Sequence, residues 1–170
     1  QALTRGRVVH ADGGFAQAMR AALEEAAYGA AWRPEMVEEI AAMRDKVAAG
    51  RPVRDLKRGP GGLADIEFLV QRLLLEHGGR MPQLRTPNTW QALAALREAG
   101  LLDEADHRAL EEGYAFLLRV QNRLRIVHNR TVDVLPEAPL EQEKLARRLG
   151  SESGQALAER LEAHRQAIRA

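Results

Sequence analysis

The sequence predicts an all-α fold, an antiparallel helical bundle of six to seven helices. Three observations carry this. Apolar residues recur three and four apart through most long segments, the period of a helix with one buried stripe. Glycine or proline stands at nearly every break between those segments. The only strand-like runs are Arg7-Val8-Val9-His10 and Thr131-Val132-Asp133-Val134-Leu135, both short.

The elements follow in order. Gly13 to Tyr28 reads as a first helix with Phe15, Met19, Ala22, Leu23 and Ala26 on one face. Pro34, in a first-turn position, opens a second with Val37, Ile40, Met43 and Val47 inward, ending near Gly50. The third runs from about Leu63 to His77 and stops at Gly78-Gly79. Thr86 as N-cap and Pro87 as first residue open a fourth, which carries Trp90, Leu93, Ala94 and Leu96 and closes at Gly100. Asp103 caps the fifth and longest, to about Val127. A sixth covers roughly Leu140 to Leu149 with Gly150 as its stop, and a seventh begins near Ser153. In the fifth, Leu110, Tyr114, Leu117, Gln121 and Leu124 form a bundle seam, with Phe116, Val120 and Val127 beside it. Gln121 inside that seam reads as a hydrogen-bonded core residue. Residues 1–12 read as a link and residues 13–170 as a single helical bundle domain. The start at Gln1 suggests a piece of a longer polypeptide.

Composition narrows the function classes. The chain has 170 residues, 45% hydrophobic and 29% charged, with a formal net charge of +1, so no global field draws it to nucleic acid or to a membrane. Aromatic residues are only 4%, which argues against a stacking surface for single strands. No apolar run reaches the roughly 20 residues of a membrane span. Cysteine is absent, which removes disulfides and thiolate chemistry and fits a cytoplasmic location.

Lys57-Arg58-Gly59-Pro60-Gly61-Gly62 is a basic, glycine-rich turn that runs straight into the third helix. Glycine and proline at this density exclude helix interior. Two readings stand. In one the turn binds an anion, with Lys57 and the N–H groups of Gly61, Gly62 and the helix N-terminus facing it. In the other the glycines let two backbones pack closely. Asp65 in the first helical turn complements the helix dipole. Glu67, flanked by Ile66 and Phe68, needs a cationic partner, either Lys57 or an arginine. Arg119, Arg123, Arg125 and Arg130 cluster around the fifth helix, either to grip an acidic group or as a solvated face paired with Glu111, Glu112 or Asp133.

Other chemistry finds no support. His10, His77, His107, His128 and His164 show no metal-ligand spacing, so no metal site is expected. There is no nucleophile elbow, P-loop or dinucleotide fingerprint. Asp65 and Glu67 project about 200° apart around a helix and make a poor carboxylate pair. No catalytic residue is assigned.

Gly59-Pro60-Gly61-Gly62-Leu63-Ala64-Asp65-Ile66-Glu67-Phe68-Leu69-Val70-Gln71 resembles the Gly-Gly-x-x-Asp/Glu-Ile-Glu-Phe-x-x-Gln segment of glutamine synthetase adenylyltransferases. Leu84-Arg85-Thr86, Gly100-Leu101-Leu102, Tyr114-x-Phe116-Leu117, Asn122 through Arg130, Leu135-Pro136 and Lys144 through Gly150 match in the same order. Upstream, Arg5-x-Arg7-Val8-Val9 resembles the family's link out of its catalytic domain. Weaker relatives of the glycine block occur in uridylyltransferases that modify the PII signal protein.

The resemblance implies a helical domain following a nucleotidyltransferase domain, in an enzyme that transfers AMP from ATP to glutamine synthetase and removes it, within nitrogen metabolism. Ala64, where the first half of such enzymes often has arginine, points to the C-terminal, adenylylating half. The family's Gly-Ser and Asp-x-Asp metal motif is absent here. Magnesium and ATP are therefore expected in the missing domain, with no cofactor on this chain and no activity by the chain alone. Implied partners are the preceding nucleotidyltransferase domain, glutamine synthetase and PII. Lys57, Gly61, Gly62, Asp65 and Glu67 form the candidate nucleotide- or interface-facing turn. The alternatives are a non-catalytic module that docks glutamine synthetase or PII, and the helical domain of a PII uridylyltransferase.

Overall fold

Local caps decide where the helices start and stop. The computed structural model describes residues 2–128 and 131–170, without the side chains of residues 127 and 128. Its helices are α1 (Gly13–Tyr28), α2 (Glu35–Ala48), α3 (Leu63–His77), α4 (Thr89–Glu98), α5 (Glu104–His128), α6 (Pro139–Leu149) and α7 (Gly154–Arg169). Asp103 caps α5 by accepting from the Asp106 N–H at 2.8 Å, and Ser153 caps α7 by accepting from the Ala156 N–H at 3.0 Å. Gly150 ends α6 at φ +73°, a left-handed stop that glycine takes without steric cost.

The fourth helix starts later than the sequence suggests. Asn88, not Thr86, is the N-cap of α4, its side-chain oxygen accepting from the N–H groups of Trp90 and Gln91 at 2.9 and 3.3 Å. Pro87 lies outside the helix, and Thr86 supports the cap by accepting from the Asn88 N–H at 3.3 Å. Two short 3-10 turns, Ala2–Arg5 and Pro82–Leu84, were not anticipated. No strand forms among the described residues at 7–10. Val134, in the second strand-like run, makes an isolated antiparallel bridge with Asp55. There the Leu56 N–H donates to the Asp133 carbonyl at 2.7 Å and the Leu135 N–H to the Arg54 carbonyl at 3.1 Å. No helix among the described residues is long and apolar enough to cross a membrane.

The chain divides into two compact units, Gln1–Met43 with Glu67–His107, and Arg44–Ile66 with Arg108–Ala170. The divisions fall inside α2, α3 and α5. In the first unit the buried apolar residues are those of α3 from Val70, with Leu84, Ala92, Leu93, Leu96 and Leu102. Arg85 ties its loops together. It donates to the carbonyls of Gly78 and Gly79 at 2.8 and 3.3 Å, pairs with Glu24 at 3.1 Å, and stacks over the Tyr28 ring.

The second unit contains the expected seam. Leu110, Tyr114, Leu117, Gln121 and Leu124 are all buried, as are Phe116 and Val120. The side chain of Val127, assigned to the second stripe, lies outside the described residues. Gln121 is the hydrogen-bonded core amide that its position requires, donating to Asp133 at 2.9 Å. α6 and α7 pack against each other as a helical hairpin.

The inward face expected of α2 is overturned, and the shared face of α1 is uncovered as well. Neither α1 nor α2 has a fully buried residue. Phe15 is 64% exposed, and Met19, Ala22 and Ala26 are also exposed. In α2, Val37 and Met43 are exposed, while Ile40 and Val47 are half-buried. Helical spacing shows that these residues share a face; it does not show that this chain covers it.

Candidate functional site

The glycine turn is built around the buried carboxylate of Asp55. One of its oxygens accepts from the N–H groups of both Lys57 and Arg58 at 2.8 Å, an aspartate turn that bends the chain locally. The Asp55 carbonyl accepts the Gly59 N–H at 3.1 Å. Gly62 donates back to Gly59 at 3.0 Å. The first turn of α3 then closes onto the same loop, Leu63 donating to Leu56 at 3.0 Å, Ala64 to Lys57 at 2.8 Å and Asp65 to Gly62 at 3.0 Å. The Gly61 N–H goes to the Asp65 carboxylate at 2.6 Å.

Every N–H from Lys57 to Asp65 therefore has an acceptor inside the turn. The helix N-terminus offers no outward N–H group there, so the backbone half of the anion-site expectation has no structural basis. What the turn presents is carbonyl oxygen, and arginines take it. Arg44 of α2 donates to the carbonyls of Arg58 and Gly59 at 3.2 and 3.1 Å and pairs through Nε with Asp65. Arg165 of α7 donates to the carbonyls of Val53 and Asp55, the latter at 3.0 Å.

The glycines are close-packing positions. Gly61 has φ +65°, and a β-carbon on it would lie 2.6 Å from the Arg165 carbonyl oxygen. A β-carbon on Gly62 would lie 2.8 Å from the Gly59 carbonyl oxygen and 2.9 Å from that of Leu56. Both contacts are with backbone, which cannot swing away.

Lys57, Gly61, Gly62 and Asp65 lie together in the second unit, and Glu67 lies in the first. Glu67 does find a cation. It is Arg5 of the link, at 2.9 Å, and not Lys57. Asp65 does more than face the helix dipole, since it bridges Arg44 and the Gly61 N–H. Lys57 is half-exposed, has no ion pair among the described residues, and has its backbone fixed at both N–H and carbonyl. Its ammonium remains available to a partner.

Sequence reasoning missed Asp55, Arg44 and Arg165. Asp55 carried a usable signal, an aspartate placed just before a glycine-rich turn. The two arginines carried none, because Arg165 meets the turn from 110 residues away. Burial pushes the Arg165 guanidinium below its ordinary pKa, and the carboxylates of Glu162 and Asp55 oppose that shift.

The arginines of α5 follow the solvated reading in part. Arg125 pairs with Asp133 at 2.6 Å, and Arg119 stacks over the Phe116 ring. Arg123 is exposed, and Arg130 lies outside the described residues. Among the described residues there is no group of three side chains able to hold a metal ion. The carboxylates of the turn are engaged by N–H groups and by Arg44, so this site does not fit a magnesium–nucleotide complex.

Comparison with known proteins gives the family. A bifunctional glutamine synthetase adenylyltransferase/adenylyl-removing enzyme from Xanthomonas axonopodis pv. citri is 42% identical over 133 residues, 78% of this chain and 14% of the relative. The chain belongs to the family of the model described as GlnD PII-uridylyltransferase, and relatives at 36–44% identity are named glutamine synthetase adenylyltransferases. An enzyme of the same name from Streptomyces avermitilis is 37% identical over 154 residues, 88% of this chain and 15% of that protein. One from Stenotrophomonas maltophilia K279a is 43% identical over 113 residues, 66% of this chain and 12% of its own length. The chain therefore spans well under a fifth of the adenylyltransferases it matches. The family model described as GlnD PII-uridylyltransferase matches residues 34–170, from the residue before α2 to the C-terminal residue.

Proposed function

We propose that this chain is the helical part of an enzyme that transfers AMP from ATP to glutamine synthetase and removes it again, in the half that adenylylates. The observation that carries the reading is the identity of 37–43% to three adenylyltransferases over 66–88% of the chain. In this reading magnesium and ATP are held by a nucleotidyltransferase domain elsewhere in the parent enzyme. The chain's own residues supply a rigid support: Arg44 and Arg165 lock the glycine turn, and the turn fixes the start of α3. Lys57 stands on that support with its ammonium available and meets an anionic group of the catalytic domain or of its bound nucleotide. Glutamine synthetase and PII are the partners of the parent, in the cytoplasm.

The matched family model favours one other reading, the helical domain of a PII uridylyltransferase. Labelled nucleotides separate the two. The parent enzyme should move label from ATP onto glutamine synthetase. Transfer from UTP onto PII, with none onto glutamine synthetase, would overturn the proposal. Lys57→Ala in the parent should lower the rate of AMP transfer while the melting temperature stays unchanged. An unchanged rate would remove Lys57 from the site and leave the turn a packing element. The 170-residue chain alone should transfer no AMP.

A further inference from the structure

Within the second unit, α7 adds an arginine to the cluster on α5. The two helices pack antiparallel. A β-carbon on Gly113 would lie 2.8 Å from Cδ1 of Ile168, and further along α5 the Phe116 ring stacks on the His164 ring with centroids 4.7 Å apart. The same register brings Arg119 of α5 and Arg160 of α7 to one ring. Their guanidiniums lie over Phe116, at 5.8 and 4.8 Å from its centroid. Arg123 stands one helical turn beyond Arg119 on the same face of α5.

All three arginines are exposed, and none has an ion pair or a hydrogen bond among the described residues. The ring beneath two of them attracts a cation but does not neutralise it. No aspartate or glutamate stands three or four residues from any of the three, so none can form a pair along its own helix. Arg119 and Arg123 are instead like charges at that spacing, which disfavours the helix. Carboxylates nearby on α7 have other partners: Glu159 accepts from Gln155 at 2.9 Å, and Glu162 pairs with Arg169 at 3.6 Å. Glu112 stands about two turns before Arg119 on α5 and has no ion pair with any of the three. Arg125 shows the contrast, since Asp133 meets it at 2.6 Å.

We propose that the patch formed by Arg119, Arg123 and Arg160 docks an acidic helical segment of a protein partner. Carboxylates one turn apart on that segment meet Arg119 and Arg123, and a further one meets Arg160, since the arginine fork matches carboxylate geometry. An apolar side chain of the segment lies on Ile126, which is 71% exposed on the same face of α5. The whole chain carries a net charge of only +1, so the attraction is local to the patch. A nucleic acid fits it less well. The ring at its centre, Phe116, is 3% exposed and offers no face on which a base could stack. The surface is separate from the glycine turn and does not rest on the adenylyltransferase reading.

The test uses the 170-residue chain with three probes, read by calorimetry and by NMR of the arginine Nε–H groups. The probes are an alanine-based helical peptide with glutamates four residues apart and one leucine, its glutamine counterpart, and a single-stranded oligonucleotide of equal charge. The glutamate peptide should bind saturably at millimolar concentrations or below, and more weakly as salt is raised. It should shift the Nε–H signals of Arg119, Arg123 and Arg160. Arg119→Gln combined with Arg123→Gln should weaken it by at least about tenfold. Arg148→Gln, at an exposed arginine of α6, should leave its affinity within about twofold. Absence of saturable binding overturns the proposal, as does equal binding by the glutamine peptide. An equal loss from Arg148→Gln also overturns it, because the attraction then belongs to the chain's charge and not to the patch. Tighter binding of the oligonucleotide overturns it as well and makes the patch a nucleic-acid surface. If the double variant does not fold, the Nε–H shifts in the unaltered chain decide alone.

Discussion

Gly61 sits against Arg165 so closely that a β-carbon on the glycine would stand 2.6 Å from the arginine's carbonyl oxygen and 2.7 Å from its Cα. The same arginine reaches back with its guanidinium to the carbonyls of Val53 and Asp55. One residue of α7 therefore contacts the turn twice, by backbone at Gly61 and by side chain at the start of the loop. Neither contact survives a shift of the other, so the turn and α7 hold one geometry.

That coupling separates two left-handed glycines. Gly50 has φ +70° and open space within 4 Å of where its β-carbon would stand, whereas Gly61 has φ +65° with backbone in the way. Gly50→Ala should cost about 1–2 kcal/mol, the left-handed penalty alone. Gly61→Ala adds an overpacking cost and should reach about 2–4 kcal/mol. Urea denaturation of the two variants checks this, and equal losses would mean that the contact with Arg165 relaxes freely.

Arg44 and Asp65 form the second lock. Their side chains are mostly buried, and each has further partners in the turn, the carbonyls of Arg58 and Gly59 on one side and the Gly61 N–H on the other. Asp65→Ala and Arg44→Ala should each cost about 1.5–3 kcal/mol, as hydrogen bonds to charged groups do. A double-mutant cycle should give a coupling of at least about 0.5 kcal/mol. Strict additivity would show that the pair acts only through its separate backbone contacts.

Much of this fold is legible in the sequence because its signals are local. Helix starts at Gly13 and Leu63 follow from breakers and caps within a few residues, and the α5 seam follows from spacing alone. Asn88 displaced Thr86 as a cap because both are competent, and only the backbone path decides between them. The polarity of the glycine turn was not legible. Whether its N–H groups face outward depends on where the carbonyls of Leu56, Lys57 and Gly59 lie, and on Asp55 and Asp65 folding back. The arginines that grip it come from α2 and α7, a long-range relation that no local pattern encodes.

The exposed stripe of α1 gives a prediction by contrast with the core. Phe15 is 64% exposed, so removing it sheds little buried area. Phe15→Ser should change stability by no more than about 0.5 kcal/mol, as surface substitutions do. Leu117→Ala, at a fully buried position of the α5 seam, should cost about 2–5 kcal/mol. Thermal unfolding of both variants checks the pair. A large loss at Phe15 would mean that α1 is covered in solution.

His164 should make stability pH-dependent in one direction. Its ring stacks on Phe116 with centroids 4.7 Å apart, and the Arg160 guanidinium lies over the same Phe116 ring at 4.8 Å. Burial first, then the charges of Arg160 and Arg119, hold its pKa below the ordinary 6.5, with Glu112 opposing. The unfolded chain therefore takes up a proton on this residue at higher pH than the folded chain does. Where the two differ, the unfolded state binds more protons, so stability rises with pH. The contribution of His164 is complete above about pH 6.5, falls as pH drops through that value, and levels off below the folded pKa. Proton NMR should show His164 titrating below 6.5, and Arg160→Gln should raise its midpoint by removing the charge with the larger effect of the two arginines. His164→Gln should flatten this part of the stability profile. A midpoint at or above 6.5 in the unaltered chain would mean that Glu112 outweighs burial and both arginines.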